Sequence, residues 1–181
     1  MQGEAYRLAE SWWNQDLPFM NDRPIVYGEI GVYHGHNLVS AEKAFAHHPQ
    51  SILYAIDPWM DYDEYPEYKG KQQTNYEYAM NNIKYAKIES KVRVIRKKSE
   101  EALLEFSDNY FDILYIDGSH VYEYVVKDCE LSKSKVKRGG YLIIDDTNHP
   151  PIIKAVDEVI GASNEYVLVK DKTDQRIYRR V

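Results

Sequence analysis

The sequence is short of everything that would cross-link it or anchor it in lipid. Among its 181 residues there is one cysteine, Cys129, so no internal disulfide can form and a reducing compartment is compatible. No stretch approaches the ~18 consecutive apolar residues of a membrane span. The opening MQGEAYRLAE carries charges where a secretion signal needs an apolar run. No membrane association and a cytoplasmic location are the resulting expectations. Positive charge is scarce too: 23 Lys and Arg stand against 29 Asp and Glu, a formal net charge of −6. That balance argues against a broad grip on nucleic acid, and the basic runs at 96–98 and 133–138 read as solvated loop or helix ends. A G-x-G-x-x-G fingerprint is missing, which counts against a nicotinamide-dependent oxidoreductase. There is no Cys/His cluster for structural zinc, no internal repeat and no low-complexity tract.

What is present is alternation. PIVYGEI (24–30), SILYAID (51–57), KVRVI (91–95), FDILYID (111–117) and GYLIIDDT (140–147) read as strands, apolar enough to be buried on both faces. Helical spacing separates them: Leu38, Ala41 and Phe45; then Tyr76, Met80, Ile83 and Lys87; then Tyr122, Val125, Val126, Cys129 and Val136. Cys129 belongs to that stripe and is expected in the core. Ser99, followed by Glu100 and Glu101, reads as a helix N-cap, and Pro151 suits the first turn of a last helix. Arg138-Gly139-Gly140 reads as a turn, and EYVLVKD and QRIYRR around KTD as an antiparallel hairpin. Ala5, Leu8, Ala9 and Trp12 suggest a helix ahead of the first strand. The expected fold is a single α/β domain over 1–181: a Rossmann-like, doubly wound, seven-stranded sheet, mostly parallel with an antiparallel C-terminal hairpin strand. Residues 1–23 would be helix and lead-in.

In such sheets ligands bind beyond the carboxyl ends of the strands, where the unusual residues gather. Two apolar strands run straight into acids, Asp117-Gly118-Ser119-His120 and Asp145-Asp146. If those strands are neighbours, three carboxylates and an imidazole crowd one edge, which is costly without a cation among them. Three acids suit magnesium or another hard divalent ion. Glu29, Gly31 and Gly35 in EIGVYHGHN give a loop through which backbone can approach a ligand. Asp57 is placed to accept hydrogen bonds from the ribose of a nucleoside, or is a turn residue before Pro58. His120, three residues after Asp117, can face the same pocket as a base; the alternatives are an exposed histidine at a helix start, or His149 as the base. The tyrosine-rich segment 58–72 reads as a substrate lid or as a surface loop, with rings able to stack on a flat or sugar ligand.

EIGVYHGHN, AIDPW, KKSEEAL, FDILYIDGSH and GGYLIIDD, in that order and followed by a terminal hairpin, resemble a class I S-adenosylmethionine-dependent methyltransferase over residues 24–181. Within that superfamily the chain is similar to the metal-dependent O-methyltransferases, both catechol and macrocin-type sugar enzymes; the latter share Asp-Gly-x-His after the fourth strand. The resemblance implies that Glu29 and Gly31 shape the first loop, with Gly35 in it, that Tyr33 lies near the sulfonium and that Asn37 reaches the methionine carboxylate. It implies Asp57 on the ribose, Ser99 and Glu100 along the adenine, and Asp117 on both the methionine amine and a metal that Asp145 and Asp146 also hold. His120 stands where macrocin-type enzymes carry histidine and catechol enzymes a lysine base, while Asp146 replaces the asparagine of catechol enzymes. The implied activity is magnesium-assisted methyl transfer to a hydroxyl of a sugar, glycoside or phenol. A nucleic-acid or protein methyltransferase and a non-catalytic cofactor-binding module are the rivals. No Asn/Asp-Pro-Pro-Tyr type motif is present, which disfavours amino-group acceptors. The chain lacks much of the N-terminal helical cover of catechol enzymes, so a homo-oligomer in which a partner subunit supplies cover is an open expectation.

Overall fold

A computed structural model describes residues 1–3, 17 and 23–181. The expected helix around Ala5–Trp12 lies outside the described residues. Seven strands form one sheet: β1 (Val26–Ile30), β2 (Ile52–Ile56), β3 (Val92–Ile95), β4 (Phe111–Ile116), β5 (Val136–Asp145), β6 (Tyr166–Asp171) and β7 (Gln175–Arg180). Their order is β3-β2-β1-β4-β5-β7-β6. The first five pair in parallel and β7 runs antiparallel to both β5 and β6, as the sequence predicts. The helices are α1 (His36–Ala44), α2 (Gln72–Tyr85), α3 (Ser99–Ala102), α4 (Tyr122–Lys135) and α5 (Pro150–Val156).

Strand residues alternate between two cores because successive side chains leave opposite faces of a pleated sheet. Tyr27, Leu53, Ile113, Tyr115 and Ile143 pack with Leu38, Ala41 and Ile83 of α1 and α2 on one face. Leu114, Ile116, Leu142 and Ile144 pack with Val125, Cys129, Ile152 and Val156 of α4 and α5 on the other. Cys129 is fully buried, as its helical stripe implies, and burial pushes its thiol up to about 12. It is no nucleophile.

One register fact positions everything that follows. Ile30 pairs with both Ile56 and Ile116, and Ile116 pairs with Ile144. The four strands therefore reach this edge in register, β5 running one residue further, and the residues after these isoleucines are Gly31, Asp57, Asp117 and Asp145.

Two local expectations are corrected. Arg138-Gly139-Gly140 is no turn: β5 begins at Val136 and passes through a bulge there, pairing Phe111 with Val136 but Ile113 with Tyr141. Gly139 adopts φ +80°, and a Cβ on Gly140 would stand 2.7 Å from the Asp112 carbonyl oxygen, so only glycine lets β5 run on. Ser99 is not an N-cap either. Lys98 holds that position, and Ser99, the first helical residue, spends its hydroxyl on Asp128 at 2.5 Å. At the next helix Ser119 does act locally, its Oγ accepting the Val121 N–H at 3.1 Å just before α4.

Candidate active site

A cavity of about 920 Å³ opens at the carboxyl edge of the sheet. Its walls include Glu29, Gly31, Tyr33, Asn37, Asp57, Ser99, Glu100, Asp117, His120, Asp145 and Asp146. Of the residues singled out in the sequence, Gly35 is not on that wall; it precedes α1 at φ +75°, and a Cβ there would stand 3.5 Å from the Ala79 Cα. His149 also lies off the wall, its ring centroid 5.1 Å from that of His120.

The first loop is drawn tight against β4. Gly31 N–H donates to the Ile56 carbonyl at 3.0 Å and Asp117 N–H to the Ile30 carbonyl at 2.9 Å. At φ +82° a Cβ on Gly31 would fall 1.8 Å from the Asp117 carbonyl oxygen, so this close approach demands glycine. Asp57 then fastens the loop. Its Oδ2 accepts the N–H groups of Val32 and Tyr33, each at 3.0 Å, and its Oδ1 accepts that of Trp59 at 2.7 Å. The contact to Trp59 is the turn role, and the other two are a loop clamp absent from the sequence reading. Burial still raises the Asp57 carboxyl above its usual range, against those three donors.

Glu29 is fully buried beneath the loop. Its Oε2 accepts from the Tyr27 hydroxyl at 2.8 Å and from Asn37 Nδ2 at 3.1 Å, while Oε1 has no hydrogen-bond partner. Burial pushes Glu29 up to about 8. Asn37, expected to reach a methionine carboxylate, has its amide turned onto Glu29. On the far wall Ser99 bonds Asp128, which is raised to about 6 by burial, and Glu100 pairs with Lys127.

The ends of β4 and β5 bring the acids together. Asp117 is driven well above the carboxylate range, first by burial and then by Asp145, Asp146, Glu29 and Asp57. The two neighbours Asp145 and Asp146 diverge. Asp145 accepts from the Tyr115 hydroxyl at 2.6 Å and from Gln175 Nε2 at 3.2 Å, and burial raises it. Asp146, at φ +53°, turns outward and meets His120 Nε2 at 2.9 Å. That bond holds Asp146 below its ordinary value and lifts His120 above its own, burial opposing both. Ligand atoms of Asp117, His120 and Asp146 lie within 4.8 Å of one another. This set departs from the expected Asp117, Asp145 and Asp146: His120 enters it, and Asp145 is held away by Tyr115 and Gln175. Three carboxylates crowded at one sheet edge, one of them driven strongly upward by burial and then by the others, fit a hard cation in chemical type.

Residues that sequence reading missed come from the tyrosine-rich segment. Glu64 Oε1 accepts the His120 N–H at 2.7 Å, Glu64 Oε2 accepts the Ser119 hydroxyl at 2.5 Å, and the Tyr65 hydroxyl lies 2.7 Å from His120 Nδ1. The composition of 58–72 marks the segment, but nothing in it separates Tyr65 from Tyr62 or Tyr68. Asp128 was hidden for another reason: it shares the buried face of α4 with Val125, Cys129 and Ser132, and a lone acid on that face does not name its partner.

A family model described as a methyltransferase domain matches residues 29–147, from the first loop through the acids after β5. An uncharacterized protein of Acanthamoeba polyphaga mimivirus is 34% identical over 89 residues, covering 45% of this chain. The match spans 40% of that relative's length. Among solved structures, the O-methyltransferase NovP superposes with a TM-score of 0.75 at 20% identity, over 96% of this chain and 80% of its own. An O-methyltransferase from Bacillus cereus, in complex with SAH, gives 0.69 at 13% identity over 97% and 81%. At such identities the likeness speaks for the fold.

Proposed function

This chain belongs to the methyltransferase-domain family, and from that we propose that it is an S-adenosylmethionine-dependent O-methyltransferase acting on a hydroxyl of a sugar, glycoside or phenolic small molecule. The observation that carries the proposal is the meeting of Asp117, His120 and Asp146 at one end of a cavity whose other walls are the first loop, Asp57 and Ser99. S-adenosylmethionine, when bound, supplies a methyl group activated by its sulfonium. The wall formed by Glu29, Gly31, Tyr33, Asn37, Asp57, Ser99, Glu100 and Asp117 is where this chain would take it, with Gly35 supporting the loop from behind.

An alcohol is a poor nucleophile until its proton leaves. His120 is the group we assign to take that proton, an effect worth about 10²–10⁴ in rate. Asp146 Oδ2 holds its Nε2 and favours the charged ring that forms. Asp117 and Asp146, with Asp145 behind them, are the carboxylates that would hold Mg²⁺ or a similar ion, which when bound lowers the pKa of an acceptor hydroxyl. Carboxylates outnumber lysines on the cavity walls, which favours a neutral acceptor over an anionic one and disfavours nucleic acid. The rings of Tyr62, Tyr65 and Tyr68 line the same space and suit a sugar or phenol. No helix among the described residues is long and apolar enough to cross a membrane.

The test pairs calorimetry with turnover on a panel of hydroxylated acceptors. His120→Ala should lower kcat by about 10²-fold or more while SAH binds as in the wild type. Equal losses in both would remove His120 from the chemistry, and a wild-type protein that binds no SAH would remove the cofactor.

A further inference from the structure

Building on the assignment of His120 as the group that takes the acceptor proton, we propose that Tyr65 both positions that ring and passes the proton to it through its hydroxyl. Its hydroxyl fixes the His120 ring with Nε2 on Asp146 and Nδ1 turned to the tyrosine-lined wall of the cavity.

The argument begins with what each partner can do. A carboxylate only accepts, so His120 Nε2, 2.9 Å from Asp146 Oδ2, carries its hydrogen toward Asp146. In the neutral ring the lone pair then falls on Nδ1, which faces the Tyr65 oxygen at 2.7 Å. A hydroxyl both donates and accepts. In the neutral ring the Tyr65 O–H donates to Nδ1, so the acceptor proton arrives by way of that hydroxyl: the acceptor gives its proton to the tyrosine oxygen as the tyrosine passes its own to Nδ1, and the ring need not rotate. Phenylalanine in the same place would fill the same space and do neither.

Tyr65 is itself held from both sides. Its neighbour Glu64 grips the backbone N–H of His120 and the hydroxyl of Ser119, at 2.7 and 2.5 Å. Its ring meets the His120 ring edge-on, with centroids 5.8 Å apart and planes at 86°. It also packs 5.6 Å from Tyr68, which lies 5.5 Å from Tyr33 in the first loop. The segment following β2 thus spans the cavity from the first loop to His120, and the orientation of the catalytic ring depends on that segment being seated. Second partners of this kind set tautomer and direction, and their loss typically costs about 10–100-fold in activity.

Tyr65→Phe removes only the hydroxyl and keeps the ring contacts. The variant and the wild type are compared by SAH calorimetry, by kcat and KM on an accepted hydroxyl compound, and by long-range ¹H–¹⁵N NMR of the His120 ring with the ion chelated and the ring neutral. The proposal expects unchanged SAH affinity, kcat lower by about 10–100-fold with little change in KM, and a single Nε2–H tautomer in the wild type that becomes mixed in the variant. An unchanged kcat, or a His120 signature identical in the two proteins, overturns it. If the wild type binds SAH but methylates no hydroxylated acceptor, the O-methyltransferase reading fails, and the NMR comparison still decides for or against Tyr65.

Discussion

Replacing Glu29 with glutamine should make this protein more stable at alkaline pH, although the residue lies inside the fold. Glu29 is completely buried, one of its oxygens is unpartnered, and burial lifts its carboxyl from 4.5 to about 8. In the unfolded chain the proton leaves near the ordinary value; in the folded chain it stays until about 8. Between those limits folding takes up a proton, so stability falls as pH rises, by about 1.4 kcal/mol per unit. From about pH 5 to about pH 8 the loss from this one group is about 3–4 kcal/mol, a large share of the roughly 5–15 kcal/mol that holds a domain together. Glutamine keeps the shape and an oxygen for the Tyr27 hydroxyl but has no proton to hold. Urea unfolding without ligand at several pH values, run on both proteins, reads the effect of Glu29 with its smaller charge coupling to Asp117, since the burial that chiefly raises Asp117 and Asp145 is common to both. The wild-type curve should descend more steeply than the variant's by that amount. Parallel curves would refute the assignment of a buried, proton-holding Glu29.

Gly31→Ala should cost at least about 3 kcal/mol, because the added Cβ meets the Asp117 carbonyl oxygen at 1.8 Å on a backbone at φ +82°; a thermal melt unchanged from the wild type would contradict it. Asp146→Asn should weaken Mn²⁺ binding, measured by electron paramagnetic resonance, by about tenfold or more, while Asp145→Asn should weaken it less. The reverse order would return Asp145 to the centre of the ion site.

Strand ends were readable in advance and side-chain directions were not, and the difference is one of range. Apolar runs such as ILYI and YLII are set by neighbours in the chain and by burial on both faces, so five parallel strands and the terminal hairpin emerge from pattern alone. The common register of β1, β2, β4 and β5 at this edge puts Gly31, Asp57, Asp117 and Asp145 in a row. Which way each carboxylate then turns depends on partners far away in sequence. Tyr115 and Gln175 each lie 30 residues from Asp145, and Glu64 and Tyr65 lie 56 and 55 residues from His120. Asp57 looked free for a ribose because the three N–H groups that fasten it belong to the first loop and to Trp59, whose conformation no periodicity encodes. The Ser99 hydroxyl went to Asp128 instead of to its own helix end because a buried carboxylate must find a donor, a demand invisible from position 99.

The acids at this edge also say where the fold gives up stability. Glu29, Asp57, Asp117 and Asp145 are all raised, burial first among the causes, so each opposes folding as pH rises above the ordinary carboxylate range. A hydrophobic strand end would remove that cost, yet four strands in register all deliver polar residues to one cavity. Local rules that a sequence breaks together, at one place, mark a site whose compensation comes from outside the chain. On the function proposed above, a cation or a cationic sulfonium would supply that compensation, because it is attracted to the charged form of these carboxylates and would bind the native state alone. The same electrostatics would therefore favour positive charge in this cavity, and a neutral acceptor hydroxyl, as proposed above, would be less penalised there than an anionic one.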